Sequence, residues 1–472
     1  EKPGPQGELH LYDLKERKDQ VLLSPVDGYD LSDDGEKLIY KSGEQYGIVT
    51  AQPGSYKIGD GLLKPDQMQM KLERKEEWKQ IFNEAWRLER DFFYAPNLHG
   101  VDWKLMKARY GELLPYVAHR YDLSYLIGEM IGELCCSHTY VSGGDKPKVE
   151  LVKTGLLGID WEPDISSGFY RIKKIYPGQN WNEKLRSPLT EPGVEVKEGE
   201  YILTVDNKIL RYPTEPYSLF ENTAGKTVIL KVNSKPSLDG AREVTVKPIE
   251  NEYGLRYRYW VDGNRRKVDE ATNGRVGYIF IPDMGGGGLN EFTESYFPQI
   301  KKDGLIVDVR YNGGGFVSQM ILERLRRVVA GMGCSRNGAD YTYPEGALFG
   351  PMVCLINQYS ASDGDFFPHY FQEYGLGPLI GRRTWGGVVG IRGFPPLVDG
   401  GYVTAPEFAP FNMKGEWVME NHGVDPDIEI DNLPDQVIQG HDPQLEKAIE
   451  VIMKKLEEQS QKLPERPAYP IK

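Results

Sequence analysis

Alternation dominates the first fifty residues. Leu9-His10-Leu11-Tyr12-Asp13 and Lys37-Leu38-Ile39-Tyr40 alternate with the period of a half-buried strand. Between them, Leu31-Ser32-Asp33-Asp34-Gly35 predicts a hairpin turn at Asp-Gly. Residues 52–66 are rich in Pro and Gly and read as a linker. The period then changes to that of a helix: Trp78, Ile81, Phe82, Ala85, Trp86 and Phe93 share one stripe between charged residues. Further helices are expected near 102–117 and 122–134, so 67–150 reads as a small helical domain. Its loop from Asp91 to Trp103 is distinctive in composition. Residues 154–250 are strand-rich, and the charged, Asn/Gly-rich stretch 251–274 reads as a linking hairpin. From Arg275 strands and helices alternate. Buried strands are predicted at 276–281, 304–310 and 352–357, with helices through Ile321, Leu325 and Val328 and over 363–374. This α/β core is expected over 252–455, with a tail over 456–472.

Composition narrows the function classes. The chain has 472 residues, 39% hydrophobic and 27% charged, which suits a soluble protein of several domains. A net charge of −13 repels phosphate backbones, so nucleic acid is not an expected partner. No apolar run approaches the ~20 residues of a membrane helix, so membrane insertion is not expected. The seven histidines include no pair at metal-ligand spacing on one helix face, and neither a metal nor another cofactor is expected. Four cysteines without a zinc or redox spacing read as buried, reduced thiols and favour a reducing, cytoplasmic compartment, with export left open. The chain starts at Glu1 without a signal-like segment, though one could have been removed.

Candidate chemistry sits in four places. In Asn357-Gln358-Tyr359-Ser360-Ala361-Ser362-Asp363-Gly364-Asp365, a buried strand ends, small residues turn and a helix begins. A serine there is exposed beside backbone N–H groups that can hold an oxyanion; the plainer reading is a helix N-cap. Gly313-Gly314-Gly315 follows a strand and lets N–H groups approach a ligand; no Gly-Lys-Ser/Thr follows, which disfavours a phosphate loop. His138 lies in Cys135-Cys136-Ser137-His138-Thr139-Tyr140 after an amphipathic helix. Glu420, in Val418-Met419-Glu420-Asn421-His422, could orient a catalytic histidine or be a surface charge. His422 is a rival base.

Set in order, these features resemble a known family. The first strands resemble one blade of a β-propeller, and a propeller needs about four. They are therefore expected to be the end of a longer parent chain, covering 1–51. Gly155-Leu156-Leu157-Gly158-Ile159 and the run Pro192-Gly193 to Asp206 resemble a PDZ domain over 154–250, the first stretch matching the loop that holds a peptide carboxylate. Residues 67–140 and 154–472 resemble the carboxyl-terminal half of the tricorn proteases, relatives of the C-terminal processing peptidases. The resemblance implies a multidomain α+β and α/β chain with a crotonase-like peptidase core. It also implies a Ser-His-Ser-Glu tetrad: Ser362 the nucleophile, His138 the base, Ser137 and Glu420 behind it. The N–H groups of Gly315 and Asp363 would form the oxyanion hole. Peptide substrates and a homo-oligomer, a hexamer, are implied in the same way. Most C-terminal processing peptidases instead use a Ser–Lys dyad, with the lysine in a turn after the nucleophile. Here that turn reads Gly381-Arg382-Arg383-Thr384-Trp385-Gly386-Gly387-Val388-Val389-Gly390, with Gly387 in the lysine's place. The alternatives are a Ser–Lys peptidase with a lysine elsewhere, and a non-catalytic peptide-binding scaffold.

Overall fold

A computed structural model describes residues 7–458 and 462–471. The chain divides into two compact units, 1–77 and 78–472. In the first, strands β1 (Gly7–Asp13) and β2 (Lys18–Val26) form an antiparallel pair. Strands β3 (Gly28–Leu31), β4 (Lys37–Ser42) and β5 (Gln45–Thr50) form a second antiparallel sheet. The alternation explains both: Leu9, Leu23, Leu38, Tyr40 and Val49 point into one small core. The Asp34-Gly35 turn joins β3 to β4, with Gly35 at φ 69° and the Ser32 hydroxyl donating to Asp34 Oδ1 at 2.6 Å.

The helical stripe becomes α1 (Arg74–Phe92), followed by α2 (Trp103–Gly111) and α3 (Arg120–Gly132). Ile81, Phe82 and Ala85 pack against Leu123, Ile127 and Met130. After α3 the chain runs through the Ser137-His138 segment into a short strand, β6 (Val141–Ser142). This strand pairs with residues 402–403, far along the sequence, and Leu397 and Val403 complete the helical core. A buried ion pair, Arg120 Nε to Asp399 Oδ2 at 2.5 Å, fastens the same junction; both side chains are only 1% exposed.

The strand-rich segment expected over 154–250 forms an antiparallel β domain. Its strands are β7 (Ile159–Asp164), β8 (Phe169–Ile175), β9 (Tyr201–Val205), β10 (Lys208–Ile209), β11 (Val228–Asn233) and β12 (Arg242–Val246), ordered β12-β11-β9-β8-β7 with β10 beside β9. In the segment matched to a carboxylate-holding loop, the Gly155 N–H donates to Phe220 O and the Leu156 N–H to Ile249 O. Those two donors are already engaged.

The hairpin expected over 251–274 is instead a helix, α4 (Tyr253–Ala271). Leu255, Val261, Asn264 and Val268 are buried at helical spacing beneath a polar face laced by Arg256–Glu252. The core that follows holds β13 (Val276–Phe280), α5 (Gly286–Tyr296), β14 (Gly304–Asp308) and α6 (Ser318–Leu325). A small hairpin of β15 (Gly331–Gly333) and β16 (Tyr341–Tyr343) precedes β17 (Met352–Ile356), α7 (Asp363–Glu373) and β18 (Leu379–Gly381). Strands β13, β14, β17 and β18 pair in parallel, and residues 428–429 add a fifth parallel strand. Every residue of β13, β14 and β17 is buried, as their unbroken apolar runs predict. Helix α6 ends at Leu325, short of Val328, which is 79% exposed. The last helix, Pro443–Glu458, runs past the expected start of the tail at 456 because Leu456 still packs into the core. The cysteines also depart from expectation: Cys354 is buried, but Cys135 and Cys334 are exposed, and all four are free.

One buried group makes folding pH-dependent. Glu89 in α1 is fully buried, and neither carboxyl oxygen has a hydrogen-bond partner among the described residues. Burial pushes its pKa up to about 8. An acid whose folded pKa lies above its unfolded one gives full stability below the unfolded value, ~4.3. That stability is lost as pH rises toward the folded value, by up to ~1.4 kcal/mol per pH unit. Glu89→Gln is expected to equal the parent near pH 4 and to exceed it by a few kcal/mol near pH 8, on the order set by that slope. Urea unfolding across this range measures it, and parallel pH curves for the two proteins would refute it.

Candidate active site

Buried strand β17 delivers the chain to a turn stitched onto the loop after β14. Asn357 Oδ1 accepts from the N–H of Tyr311 (3.0 Å) and of Tyr359 (3.2 Å). The Ser360 hydroxyl donates to Val309 O at 2.9 Å, and Ala361 N–H to Asn312 O at 2.9 Å. So held, Ser362 takes φ 59° and ψ −121°, a conformation essentially reserved for glycine. It stands at the head of α7, yet its side chain makes no capping hydrogen bond, unlike a plain N-cap serine. The neighbouring Asp363 carboxylate faces the other way, toward α6. It accepts from Ser318 N–H at 3.0 Å and from the Ser318 hydroxyl, tying α7 to the start of α6.

The glycine run packs directly on this turn. A Cβ on Gly314 would lie 2.6 Å from Ser362 Cβ, and one on Gly315, at φ 149°, would lie 2.0 Å from Met284 O. Side chains at either position would push the loop off the serine. Among the described residues, neither the Gly315 N–H nor the Asp363 N–H donates to another protein group. Two unengaged N–H groups beside a serine are what an oxyanion needs.

His138 reaches the site from the segment after α3, at φ 59°. Its Nδ1 lies 2.9 Å from Ser137 Oγ, and that hydroxyl donates to Glu420 Oε2 at 3.1 Å. The serine proton points at the carboxylate, so Nδ1 carries the ring proton and Nε2 keeps its lone pair. Glu420 Oε1 accepts from Ser137 N–H at 2.7 Å, and Oε2 from the N–H groups of Val388 (2.8 Å) and Val389 (3.1 Å). Burial lowers the His138 pKa, and the Glu420 carboxylate partly opposes that. Cys136 Sγ lies 3.6 Å from Glu420 Oε1; burial and that carboxylate push the thiol pKa well up, so it stays protonated.

Ser362, His138, Gly315 and Asp363 line one cavity of about 980 Å³, whose apolar wall includes Phe366, Val388, Ile391 and Phe408. No lysine is among its described lining residues. The Ser362 hydroxyl and His138 ring share the cavity, but no hydrogen bond joins them among the described residues. The arrangement is looser than the ~2.6–3.2 Å contact of an engaged pair, as sites without substrate commonly are. His422 is outside this group, held by Asp425 at 2.7 Å and Arg383 at 3.3 Å. Four contributors escaped the sequence reading. Val388 and Val389 act through backbone N–H, which leaves no residue-type signature. The Thr404 hydroxyl donates to His138 O at 2.6 Å. Buried Asp365, its pKa raised to about 6 by burial, accepts from Gly386 N–H at 2.8 Å and anchors the 384–389 turn; its spacing from Ser362 was the one available signal.

Known proteins bear on this geometry. Family profiles match three segments: Peptidase family S41 over residues 275–430, the tricorn protease PDZ domain over 155–251 and the tricorn protease C1 domain over 74–132. The tricorn protease of Thermoplasma acidophilum is 35% identical over 463 residues, 98% of this chain and 43% of that protein. The tricorn protease homolog of Saccharolobus solfataricus is 37% identical over 456 residues, 95% of this chain and 42% of that protein. A crystal structure of the tricorn protease is similar at TM-score 0.84 and 34% identity, covering 96% of this chain and 44% of that chain. The chain spans about half the length of the curated relatives it matches. Three domain types in one order, with this identity along nearly all of the sequence, lead to one conclusion: the chain belongs to the tricorn protease family within the S41 peptidases.

Proposed function

We propose that this chain hydrolyses peptide bonds through an acyl-enzyme at Ser362. The observation that carries the reading is the relay from Glu420 through Ser137 to Nδ1 of His138, which lines the cavity that also holds Ser362. In this mechanism His138 Nε2 takes the Ser362 proton as the hydroxyl attacks a peptide carbonyl. The oxyanion forms against the N–H groups of Gly315 and Asp363. The imidazolium then protonates the leaving amine, and water releases the acyl group by the reverse steps. The Glu420 carboxylate offsets the charge on the imidazolium through Ser137.

The domain division of the resemblance belongs to the same proposal: helical residues 67–150 supply the base, and the core over 252–455 supplies the nucleophile. The apolar cavity wall favours peptides with an apolar side chain next to the cleaved bond. A cytoplasmic homo-oligomer, hexameric by family resemblance, completes the reading, and sedimentation of the purified chain measures that assembly.

Two experiments test it. A fluorophosphonate probe should label the parent at Ser362, and Ser362→Ala should lower kcat by ~10⁶ while the protein stays folded. Normal turnover by that variant would remove Ser362 from the role. Normal turnover by His138→Ala would point to a Ser–Lys mechanism, and an unlabelled parent to a binding scaffold.

The second concerns pH. Only neutral His138 can accept a proton, so activity falls as pH drops through its pKa. Burial places the acid limb of kcat/KM below the ~6.5 of a free imidazole. Glu420→Gln removes the opposing carboxylate, so the limb should move further toward acid while kcat falls more than KM rises. An unchanged limb with full kcat would make Glu420 a surface charge.

A further inference from the structure

The loop between α1 and α2, conspicuous in the sequence, has no part in the mechanism above. Its backbone is strained. Leu98, His99 and Gly100 all have positive φ, at 51°, 56° and 84°. A bulky leucine in this region is a genuine outlier and persists only where its surroundings fix it. The Leu98 side chain is buried in the helical core. The His99 ring makes two specific contacts: Nδ1 lies 2.9 Å from Leu134 O, and Nε2 lies 2.7 Å from the Tyr94 hydroxyl. A carbonyl only accepts, so Nδ1 carries the proton; Nε2 then accepts from the Tyr94 O–H. Tyr94 is itself placed by its N–H on Pro406 O at 2.8 Å and by the Trp417 ring at 5.5 Å.

Leu134 immediately precedes the Cys135–His138 segment. Along that segment, side chains hold the backbone group by group. Asn421 Nδ2 donates to Cys135 O at 2.9 Å, and Thr139 Oγ1 to Cys136 O at 3.2 Å. Glu420 accepts from Ser137 N–H, and Thr404 donates to His138 O. His99 does the same at the point where the segment leaves α3.

Resting on the assignment of His138 as the base, we propose that Tyr94 and His99 form a positioning pair. The Tyr94 hydroxyl locks His99 in its Nδ1–H tautomer, and His99 holds the Leu134 carbonyl, fixing the origin of the segment that carries His138. A small displacement of a catalytic group lowers the rate of chemistry far more than it weakens binding.

The test uses the whole chain, with steady-state kinetics on a fluorogenic peptide, the rate of fluorophosphonate labelling and the thermal midpoint of each variant. His99→Ala should lower kcat and the labelling rate together, by on the order of 10–100-fold, with KM nearly unchanged. His99→Asn tolerates the left-handed backbone and places an amide donor near the Nδ1 position, so it should recover most of that loss. Tyr94→Phe should fall between them. Parent-like kcat and labelling in His99→Ala would overturn the inference, as would His99→Asn no better than His99→Ala. Should His99→Ala not fold, Tyr94→Phe decides: lowered kcat at constant KM supports the pair, and full activity overturns it. A labelled parent with an equally labelled His99→Ala defeats this inference alone. An unlabelled parent defeats the peptidase reading and this inference with it.

Discussion

The arrangement around His138 depends on one carboxylate. Glu420 gathers the 136–137 segment, the 388–389 turn and its own loop onto two oxygens. What it accepts from matters as much as where it sits. Four of its donors are backbone N–H groups and a serine hydroxyl, the fifth a weakly donating thiol, and none carries a formal charge. An arginine in their place would satisfy the same lone pairs and cancel the field. Neutral donors desolvate the carboxylate safely while leaving its charge available to an imidazolium one hydroxyl away. Ser137 is the spacer that makes this work: it passes orientation to Nδ1 without passing the negative charge into direct contact with the ring.

Such a relay joins residues nearly three hundred positions apart, from two packing layers that meet through a two-stranded sheet and side chains. Its precision therefore rests on the junction between the helical layer and the core. That junction is built three ways. Strand pairing of 141–142 with 402–403 fixes register, and the Thr404 hydroxyl fixes the His138 carbonyl. The Arg120–Asp399 pair supplies a buried, directional contact. Replacing a buried pair by apolar residues often stabilises a protein, so stability alone does not explain this one. It fits a contact that specifies a single geometry where a slip would move His138 away from Ser362.

The sequence was most legible where one physical signal acts alone. Unbroken apolar runs predicted β13, β14 and β17, because a strand buried on both faces tolerates nothing else. The stripe of α1 was equally plain. Helix α4 was missed because its apolar residues are sparse, and Arg, Asp and Asn fill the rest; its helicity comes from packing under Leu255, Val261 and Val268, not from composition. Local motifs singled out Ser362 and His138 as candidates, since a serine at a strand-to-helix turn and a Ser-His pair are written in side chains. Val388 and Val389 were invisible for the opposite reason. They contribute only N–H groups, which every residue but proline possesses. Cys135 is exposed in the turn after α3, where its φ is 47°, a placement that no count of cysteines discloses.

That difference between side-chain and backbone contributions bears on the proposal that His138 is the base, set against the Ser–Lys pattern expected of most C-terminal processing peptidases. In the Ser–Lys pattern, the turn after the nucleophile delivers an amine on a side chain. In this chain the same turn carries Gly387 and delivers two backbone N–H groups to Glu420. The turn keeps its position beside Ser362, anchored by Gly386 N–H on Asp365, but presents donors in place of a base. An amine there would have to be desolvated to lose its proton near neutral pH, and a lysine beside Glu420 would instead hold that proton more tightly. A Glu-centred relay and a lysine in this turn are therefore electrostatically incompatible. Once the carboxylate occupies the site, the base has to come from outside the core, on a group whose ordinary pKa already suits the task. On the proposed assignment, the helical layer, with Ser137 and His138 after the end of α3, is where this fold would supply it.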